Sequence, residues 1–247
     1  MAIGGGLDRR AILGGMLAGL ASPARLSAAP ILTLKSGPRL FTGTPLDKNR
    51  LALTFEKVDL PLPPIKVSNG AAKLSLDSLR GKTRIVTLWA EWCAPCLVEA
   101  RDFAALRRRF AGPNFDIVAV PTCIAEKLGF AGATARLTQA RVAGLPLLVE
   151  PNGGKRLMLT LSPSPMGDGG TLPCTLLVDS RGRIRGRSRG ALTAALPPGA
   201  AAKQPGSYIL TDADKRAMLA GDRGTLWQSP DGDALVTALC DGILDRL

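Results

Sequence analysis

The stretch Trp92-Cys93-Ala94-Pro95-Cys96 constrains the fold and the chemistry of this chain more than any other. It follows an apolar run rich in β-branched residues, 85–89, and precedes an amphipathic helical pattern. Two thiols at such a strand-to-helix turn can close a disulfide within one helical turn. The first thiol would lie among the free N–H groups of the helix N-terminus, where the dipole favours a thiolate. Because a thiolate is the species that attacks a disulfide, the stretch predicts a dithiol redox site.

The composition of the chain narrows the chemistry that this site can support. Its 247 residues are 46% apolar, which is enough for one α/β domain with a packed core. Histidine is absent, which excludes Ser-His and Cys-His catalysis and the usual zinc and haem sites. A structural zinc site would need two ligands beyond Cys93 and Cys96, and the sequence has no second CxxC. We therefore interpret this pair as redox-active, and Cys123, Cys174 and Cys240 as packed or reactive single thiols.

The charge balance is strongly basic, with a formal net charge of +12. Such a balance favours anionic partners or a membrane surface, although an Arg-rich soluble surface explains it as well. The sequence has no RNA-binding motif, zinc finger or aromatic-basic platform, so we expect no nucleic-acid partner.

The N-terminus predicts an export signal over residues 1–29. Asp8-Arg9-Arg10 precedes an uncharged, weakly apolar run, 11–24, and Ser27-Ala28-Ala29 supplies small residues where a signal peptidase would cut. The run is shorter than the ~20 apolar residues that a membrane span needs. Adjacent arginines before a weakly hydrophobic run resemble a twin-arginine signal, which predicts a periplasmic protein. The alternatives are an ordinary secretory signal and an uncleaved signal that anchors the protein to the inner membrane.

The rest of the sequence predicts an α/β domain that follows a short arm. Residues 30–60 are poorly periodic, so we expect an extended arm there and a domain over 61–247. Periodicity predicts strands at 84–89, 115–121, 146–150, 175–179 and 183–189, with a short strand and turn near 65–70. It predicts helices at 93–110, 133–142, 154–161, 211–220 and 230–245. The stretches 162–171 and 191–210 have the composition of a loop and a linker. This order indicates a central mixed sheet with helices on both faces.

Several further residues join the CxxC stretch in a recognisable pattern. They are Gly81-Lys82, Glu99, Thr171-Leu172-Pro173, Asp179, Gly182-Arg183-Ile184 and Leu226-Trp227-Gln228-Ser229-Pro230-Asp231. Together with 88–96, they resemble the exported TlpA/ResA-like thiol–disulfide oxidoreductases of the thioredoxin-fold superfamily, from about residue 60 to the C-terminus. The resemblance implies a thioredoxin-like fold with an N-terminal extension and insertions near 124–143 and 191–224.

Each residue of the CxxC stretch has an expected role. Cys93 is expected to be the more exposed thiol, which attacks a partner disulfide, and Cys96 to resolve the mixed disulfide that forms. Pro95 donates no backbone hydrogen bond and stiffens the turn, and the small Ala94 leaves access open. We expect Trp92, Ala94 and Pro95 to contact the substrate.

Pro173 is expected, from its position in the family pattern, to follow a cis peptide bond and to face the dithiol. It would turn the backbone of Leu172 outward, so that an extended substrate pairs with it beside Cys93. An ordinary trans proline at the start of a strand is the alternative. Cys174 follows directly and could be a core or a regulatory thiol, of which we favour the core thiol.

Helical spacing places Glu99 on a buried face of the helix that carries the dithiol. Cys96, Glu99, Phe103, Leu106 and Phe110 recur at spacings of 3, 4, 3 and 4 residues and so share one face. Burial there would raise the pKa of Glu99, whose carboxyl could then exchange a proton with Cys96 as a catalytic group. The alternative is a solvent-exposed glutamate that pairs with a nearby arginine.

Four arginines alternate along the last predicted strand of the domain, and their side chains should share one face. We interpret this strand as an edge strand whose charge prevents edge-to-edge association, with docking of an acidic partner as the alternative. The four are Arg183, Arg185, Arg187 and Arg189.

The leading functional hypothesis is an exported protein-disulfide reductase that needs no cofactor and no metal. The resemblance implies disulfide-containing or dithiol partners, such as cytochrome c maturation or copper-delivery proteins. It also implies re-reduction by a membrane electron donor and a transient membrane association. A disulfide-donating oxidase uses the same chemistry at a different reduction potential. A CxxC metal-delivery chaperone is the alternative from another class. A peroxidase is disfavoured because its single peroxidatic cysteine needs a different surrounding motif.

Overall fold

The computed structural model describes residues 33–35, 43–47, 50–122, 129–163, 170–189, 202–204, 207–208, 225–228 and 230–247. The strands are β1 (Thr33–Lys35), β2 (Gly43–Asp47), β3 (Arg50–Pro61), β4 (Lys66–Ser68), β5 (Lys73–Ser75), β6 (Thr83–Trp89), β7 (Phe115–Pro121), β8 (Cys174–Val178), β9 (Arg183–Arg189), β10 (Ala202–Gln204) and β11 (Ser207–Tyr208). The α-helices are α1 (Ala94–Phe110), α2 (Gly129–Gln139), α3 (Lys155–Leu161) and α4 (Pro230–Cys240). Short 3-10 turns cover Leu76–Ser78, Leu226–Gln228 and Ile243–Arg246.

A seven-stranded mixed sheet forms the centre of the described part of the chain. Its strands run in the order β1-β3-β9-β8-β6-β7, and β2 pairs with β3 outside this path. β6 and β7 are parallel, whereas β8 and β9 are antiparallel to the strands beside them. A parallel pair needs a crossover connection, which α1 supplies between β6 and β7. The predicted fold class, a mixed sheet flanked by helices, is confirmed.

Both faces of the sheet are covered by hydrophobic clusters. Along β6, Ile85 and Trp89 belong to one cluster, and Val86 and Leu88 belong to the other. Residues of α1, α2 and α4 close the first cluster, and residues of α3 close the second. A strand that is buried on both faces has a continuous apolar sequence, which is why the run at 85–89 stands out.

Four of the predicted strands match observed strands to within a residue at either end. The predictions 84–89, 115–121, 175–179 and 183–189 correspond to β6, β7, β8 and β9. The predicted strand at 146–150 is wrong, because this segment makes only isolated bridges, from Leu147 to Ala119 and from Val149 to Ser68. The segment changes partner between these two residues and extends neither ladder.

Two of the predicted helices end earlier than expected. α2 covers Gly129–Gln139 instead of 133–142, because Arg141 adopts a left-handed conformation (φ 58°) that ends the helix. α4 ends at Cys240 instead of 245, and the left-handed Gly242 (φ 71°) starts a separate 3-10 turn. The predicted helix at 211–220 lies outside the described residues, as does most of the 191–210 linker.

Part of the predicted N-terminal arm belongs to the sheet. β3 pairs antiparallel with β9, with Glu56 opposite Arg187. β9 therefore lies between β3 and β8, and the prediction that it is an edge strand is wrong. The predicted domain boundaries stay predictions.

The arginines of β9 form ion pairs with acids of β3: Arg187 and Arg189 with Glu56, and Arg183 and Arg185 with Asp59.

Candidate active site

The two cysteines of the CxxC stretch lie where β6 is followed by α1. After Trp89 the chain turns, the amide of Cys93 donates to the carbonyl of Ala90 at 3.1 Å, and α1 begins at Ala94. Cys93 is the N-cap residue, with extended backbone angles of φ −89° and ψ 91°. Pro95 fits the first turn because its missing N–H would have no intrahelical acceptor there. The first turn of α1 carries no acidic side chain that would weaken the effect of the helix dipole on the first sulfur.

The structure shows the oxidised form of this pair. A disulfide joins Cys93 and Cys96, with Sγ atoms 2.05 Å apart and Cα atoms 5.3 Å apart. Cys93 is 5% exposed and Cys96 is 2% exposed. The predicted order of exposure is confirmed, but the difference is small, and only a minor part of Cys93 is accessible to a partner.

The residues expected to contact a substrate differ in their exposure. Trp92 has 59% of its surface exposed beside the buried disulfide, whereas Ala94 is buried and Pro95 is partly buried. The Leu172–Pro173 peptide bond is cis, as the family pattern implied. Because Cys174 pairs with Leu88, the start of β8 lies beside the end of β6 that leads to the CxxC turn. The topology therefore brings the proline and the dithiol to the same end of the sheet.

Glu99 lies on the buried face of α1, as the helical spacing predicts. It is 1% exposed, which rules out the solvent-exposed alternative. Its Oε1 atom accepts a hydrogen bond from Nε1 of Trp227 at 3.1 Å. Its position is one helical turn beyond Cys96 on the same face, where Phe103 also lies buried. The catalytic role of Glu99 stays a prediction.

A second buried carboxyl, Asp102, was not identified from the sequence. It is 2% exposed and accepts hydrogen bonds from Oγ1 of Thr225 and Nε2 of Gln228. Burial raises the pKa of Asp102 above its ordinary value of 3.8, and these two hydrogen bonds oppose the rise. The i, i+3 spacing from Glu99 could have indicated a second inward-facing acid, but its donors come from a distant segment of the chain.

The remaining described cysteines are packed rather than activated. Cys174 is fully buried, and burial raises the pKa of its thiol to about 12, although Arg187 and Arg189 act in the opposite direction. Burial also raises the pKa of the partly buried Cys240. The interpretation of Cys174 and Cys240 as packing thiols agrees with these environments, and Cys123 lies outside the described residues.

Two features are absent from the described residues. Within the described ranges, no three or more His, Cys, Asp or Glu side chains are grouped so that they could hold a metal ion. None of the helices described is both long and apolar enough to cross a membrane.

The fold and the site together define a class of protein. A CxxC disulfide at the N-terminus of the helix after a central strand, with a cis proline at the start of the neighbouring strand, makes this chain a thiol–disulfide oxidoreductase of the thioredoxin fold. Residues 58–187 match the AhpC/TSA family, and the chain belongs to that family. The match confirms the thioredoxin-fold relationship inferred from the sequence, and it ends before the segment that contacts Glu99 and Asp102.

The chain is also similar to solved structures from several bacteria. A protein of Chlorobium tepidum described as a thiol:disulfide interchange protein, DsbE, has 18% identity and a TM-score of 0.45, covering 75% of this chain and 99% of its own. StoA of Bacillus subtilis has 20% identity and a TM-score of 0.40, covering 53% and 91%. The exposed lipoprotein thioredoxin Etrx1 of Streptococcus pneumoniae has 20% identity and a TM-score of 0.38, covering 54% and 90%.

Proposed function

We propose that this chain is an exported protein-disulfide reductase whose working pair is Cys93 and Cys96. The observation that carries the proposal is the disulfide at the N-terminus of α1, with Cys93 as the N-cap residue. In the reduced form the free N–H groups and the dipole of α1 favour a thiolate at this position. The resemblance of the sequence to exported reductases favours reduction over oxidation as the direction in the cell.

Reduction of a partner follows from two thiol–disulfide exchanges. The thiolate of Cys93 attacks one sulfur of the partner disulfide, forming a mixed disulfide and releasing the other partner sulfur as a thiolate. Cys96 then loses its proton and attacks Sγ of Cys93, which releases the second partner sulfur. Two electrons pass to the partner, which takes up two protons, and the Cys93–Cys96 disulfide of the structure is the product. A membrane electron donor reduces this disulfide for the next cycle.

Glu99 is the group that we propose to exchange the proton of Cys96. It lies one turn further along the same buried face of α1 and is 1% exposed, so no bulk water competes at its position. A carboxyl positioned in this way can act as a general base when Cys96 attacks and as a general acid when the disulfide is reduced.

The substrate contacts that we propose surround the exposed side of the disulfide. Trp92, which is 59% exposed, offers an apolar surface for a partner chain. Ala94 and Pro95 border the first sulfur, and the backbone of Leu172 before Pro173 is available for pairing with an extended segment of the partner. These contacts suit a protein substrate rather than a small molecule.

The cellular setting completes the proposal. The twin-arginine pattern and the small residues that follow it support export to the periplasm after removal of residues 1–29, and an uncleaved inner-membrane anchor is the alternative. The domain proposed at 61–247 would then be preceded by the 30–60 segment, part of which, in β3, joins the central sheet. Cytochrome c maturation or copper-delivery proteins are the partners proposed, because both classes present cysteine pairs that must be reduced before they bind haem or metal.

Two measurements test the function directly. The reduction potential of the Cys93–Cys96 pair, from equilibration with a redox buffer, is expected to lie closer to the roughly −270 mV of thioredoxin than to the roughly −120 mV of a strong oxidant. A Cys96→Ser variant, which cannot resolve mixed disulfides, is expected to accumulate them with periplasmic proteins. A Cys93→Ser variant is the matched control, because it keeps one thiol of the pair but lacks the attacking one.

The outcomes separate the candidate functions. A potential near −120 mV would show that the protein donates disulfides instead of reducing them. Equal adduct formation by Cys93→Ser and Cys96→Ser would show that Cys93 is not the attacking thiol.

A further inference from the structure

The short turn near the C-terminus packs against α1 within the hydrophobic cluster that contains the redox pair. We refer to residues 225–228 as the 225–228 turn. The side chain of Trp227 is fully buried, with its ring centroid 4.9 Å from that of Phe103 and 6.3 Å from that of Phe55. Trp227 and Cys96 belong to the same cluster. The turn is therefore part of the packing around the dithiol, although Trp227 lies 131 residues beyond Cys96 in sequence.

The 225–228 turn donates hydrogen bonds to both buried carboxyls of α1. Nε1 of Trp227 donates to Oε1 of Glu99 at 3.1 Å. One helical turn further on, Oγ1 of Thr225 and Nε2 of Gln228 each donate to a different oxygen of Asp102. The amide of Trp227 also donates to Oγ1 of Thr225 at 3.3 Å, which ties the two contacts together. The orientation of the indole is thus fixed by the backbone, by Asp102 and by aromatic packing.

The chemistry of the indole group decides what this contact does. An indole N–H can only donate, so Oε1 of Glu99 acts as an acceptor in both charge states of the carboxyl. Because the carbonyl oxygen of a protonated carboxyl is its stronger acceptor, the bond from Trp227 favours a proton on Oε2. We propose that Trp227 is a positioning residue, which holds the Glu99 carboxyl on the Cys96 side of α1 and directs its exchangeable proton to Oε2. This inference rests on the proton-exchange role proposed above for Glu99.

The pH dependence of Cys96 alkylation tests whether Trp227 acts on Cys96 through Glu99. In a Cys93→Ser background, alkylation of Cys96 is followed against pH by mass spectrometry of the peptide that contains it. Glu99→Gln removes a negative charge near Cys96, so the thiolate should form at lower pH and the midpoint should fall. Trp227→Phe keeps an aromatic ring but removes a donor that favours the charged carboxylate. The Glu99 carboxyl then carries its negative charge less readily, so the Cys96 midpoint should fall in the same direction but by less than in Glu99→Gln.

Trp89 provides a matched control for the lost ring volume. It is also fully buried in the same cluster, and its Nε1 has no hydrogen-bond partner among the described residues. Trp89→Phe therefore removes the same atoms without removing a hydrogen bond to an acid. The Glu99→Gln/Trp227→Phe double variant is expected to match Glu99→Gln alone, because Trp227 acts through Glu99.

A second measurement needs no substitution of Trp227. The chain has three tryptophans, so the reduced full-length protein gives three indole N–H signals in a nitrogen–proton NMR spectrum. The signal of Trp227 is expected to shift with pH as Glu99 titrates, and this shift should vanish in Glu99→Gln. The signal of Trp89, whose Nε1 has no hydrogen-bond partner among the described residues, serves as the internal reference.

The outcomes distinguish this inference from the role of Glu99. If Glu99→Gln moves the Cys96 midpoint but Trp227→Phe moves it no more than Trp89→Phe, the inference is overturned and the role of Glu99 stands. If Trp227→Phe has the same effect with Glu99 or Gln at position 99, Trp227 acts through packing and the inference is overturned. If Glu99→Gln leaves the midpoint unchanged, both proposals fail. An indole signal of Trp227 that does not respond to pH contradicts the inference even where Trp227→Phe does not fold.

Discussion

The ion pairs between β3 and β9 allow a sharp test of how burial changes the contribution of an ion pair to the free energy of unfolding. Glu56 is 8% exposed and accepts three hydrogen bonds from two arginines. Nε and Nη2 of Arg187 donate at 3.0 and 2.8 Å, and Nη2 of Arg189 donates at 2.5 Å. Both guanidinium groups are themselves buried. A Glu56→Gln variant keeps the size of the side chain but leaves these two cations without the carboxylate that they share.

The expected loss of stability is large for a single substitution. Removing one partner of a buried ion pair costs about 3–5 kcal/mol, because the remaining charge stays buried without compensation. Two arginines lose the same partner here, so we expect a value toward the upper end of that range. Since a domain is stabilised by about 5–15 kcal/mol in total, the variant should unfold at a much lower urea concentration or fail to fold.

The same two strands supply the matched control. Asp59 also accepts hydrogen bonds from two arginines, Arg183 at 2.8 Å and Arg185 at 3.1 Å, but its side chain is 57% exposed. Solvent and salt screen the exposed Asp59 carboxylate, so Asp59→Asn should lower the free energy of unfolding by less than about 1 kcal/mol. The assay is urea unfolding of both variants at pH 7 and two salt concentrations. Equal effects of the two substitutions would refute the argument that burial, rather than the number of ion pairs, sets the cost.

Three other predictions concern the site and its surroundings. Cys93→Ser should abolish disulfide reduction in an insulin-type turbidity assay. Cys174→Ser and Cys240→Ser should keep most of the activity, since burial raises the pKa of both thiols. A Cys174→Ser variant that folds but is inactive would indicate a third redox-active thiol. The stability of an Asp102→Asn variant should increase relative to that of the native protein as the pH rises from about 4 to 7. Burial raises the pKa of Asp102 in the folded state, so the native protein loses stability as the pH rises and the unfolded chain ionises first. The Asn variant has no such loss because Asn does not ionise. Urea midpoints that differ by the same amount at both pH values would contradict this. N-terminal sequencing of exported protein should begin near residue 30, and an intact Met1 in a cytosolic pool would argue against the signal.

The central elements could be predicted from the sequence because their signals are local. β6 is a continuous apolar run, and α1 follows with regular helical spacing from Cys96 to Phe110. The turn between them carries the two cysteines, so the redox site and its position in the fold could be predicted from the same stretch of sequence. Glu99 could be placed on the buried face for the same reason, since the periodicity of one helix is sufficient to decide it.

Pairing between distant segments could not be predicted in the same way. β3 contains charged residues and a register shift between Lys57 and Leu60, which obscure its alternation. Its partner β9 lies more than a hundred residues away, and the alternating arginines of β9 are as typical of an edge strand as of an internal one. Only the position of Glu56 opposite Arg187 shows that these charges neutralise one another inside the sheet.

The buried acids of α1 show where prediction of the site itself ends. Spacing indicates that Glu99 faces inward, but a carboxyl in a hydrophobic cluster needs hydrogen-bond donors, and helical periodicity does not say where they come from. In the structure Trp227 provides one, and two other side chains of the 225–228 turn do the same for Asp102. A buried acid predicted beside a redox pair therefore implies a second, distant segment that supplies donors to it. In this chain the family match covers residues 58–187, and the donor segment, the 225–228 turn, lies outside it. The environment of the dithiol is accordingly set by two parts of the chain, and substitutions in the C-terminal turn should alter the chemistry of Cys96 without touching the CxxC stretch.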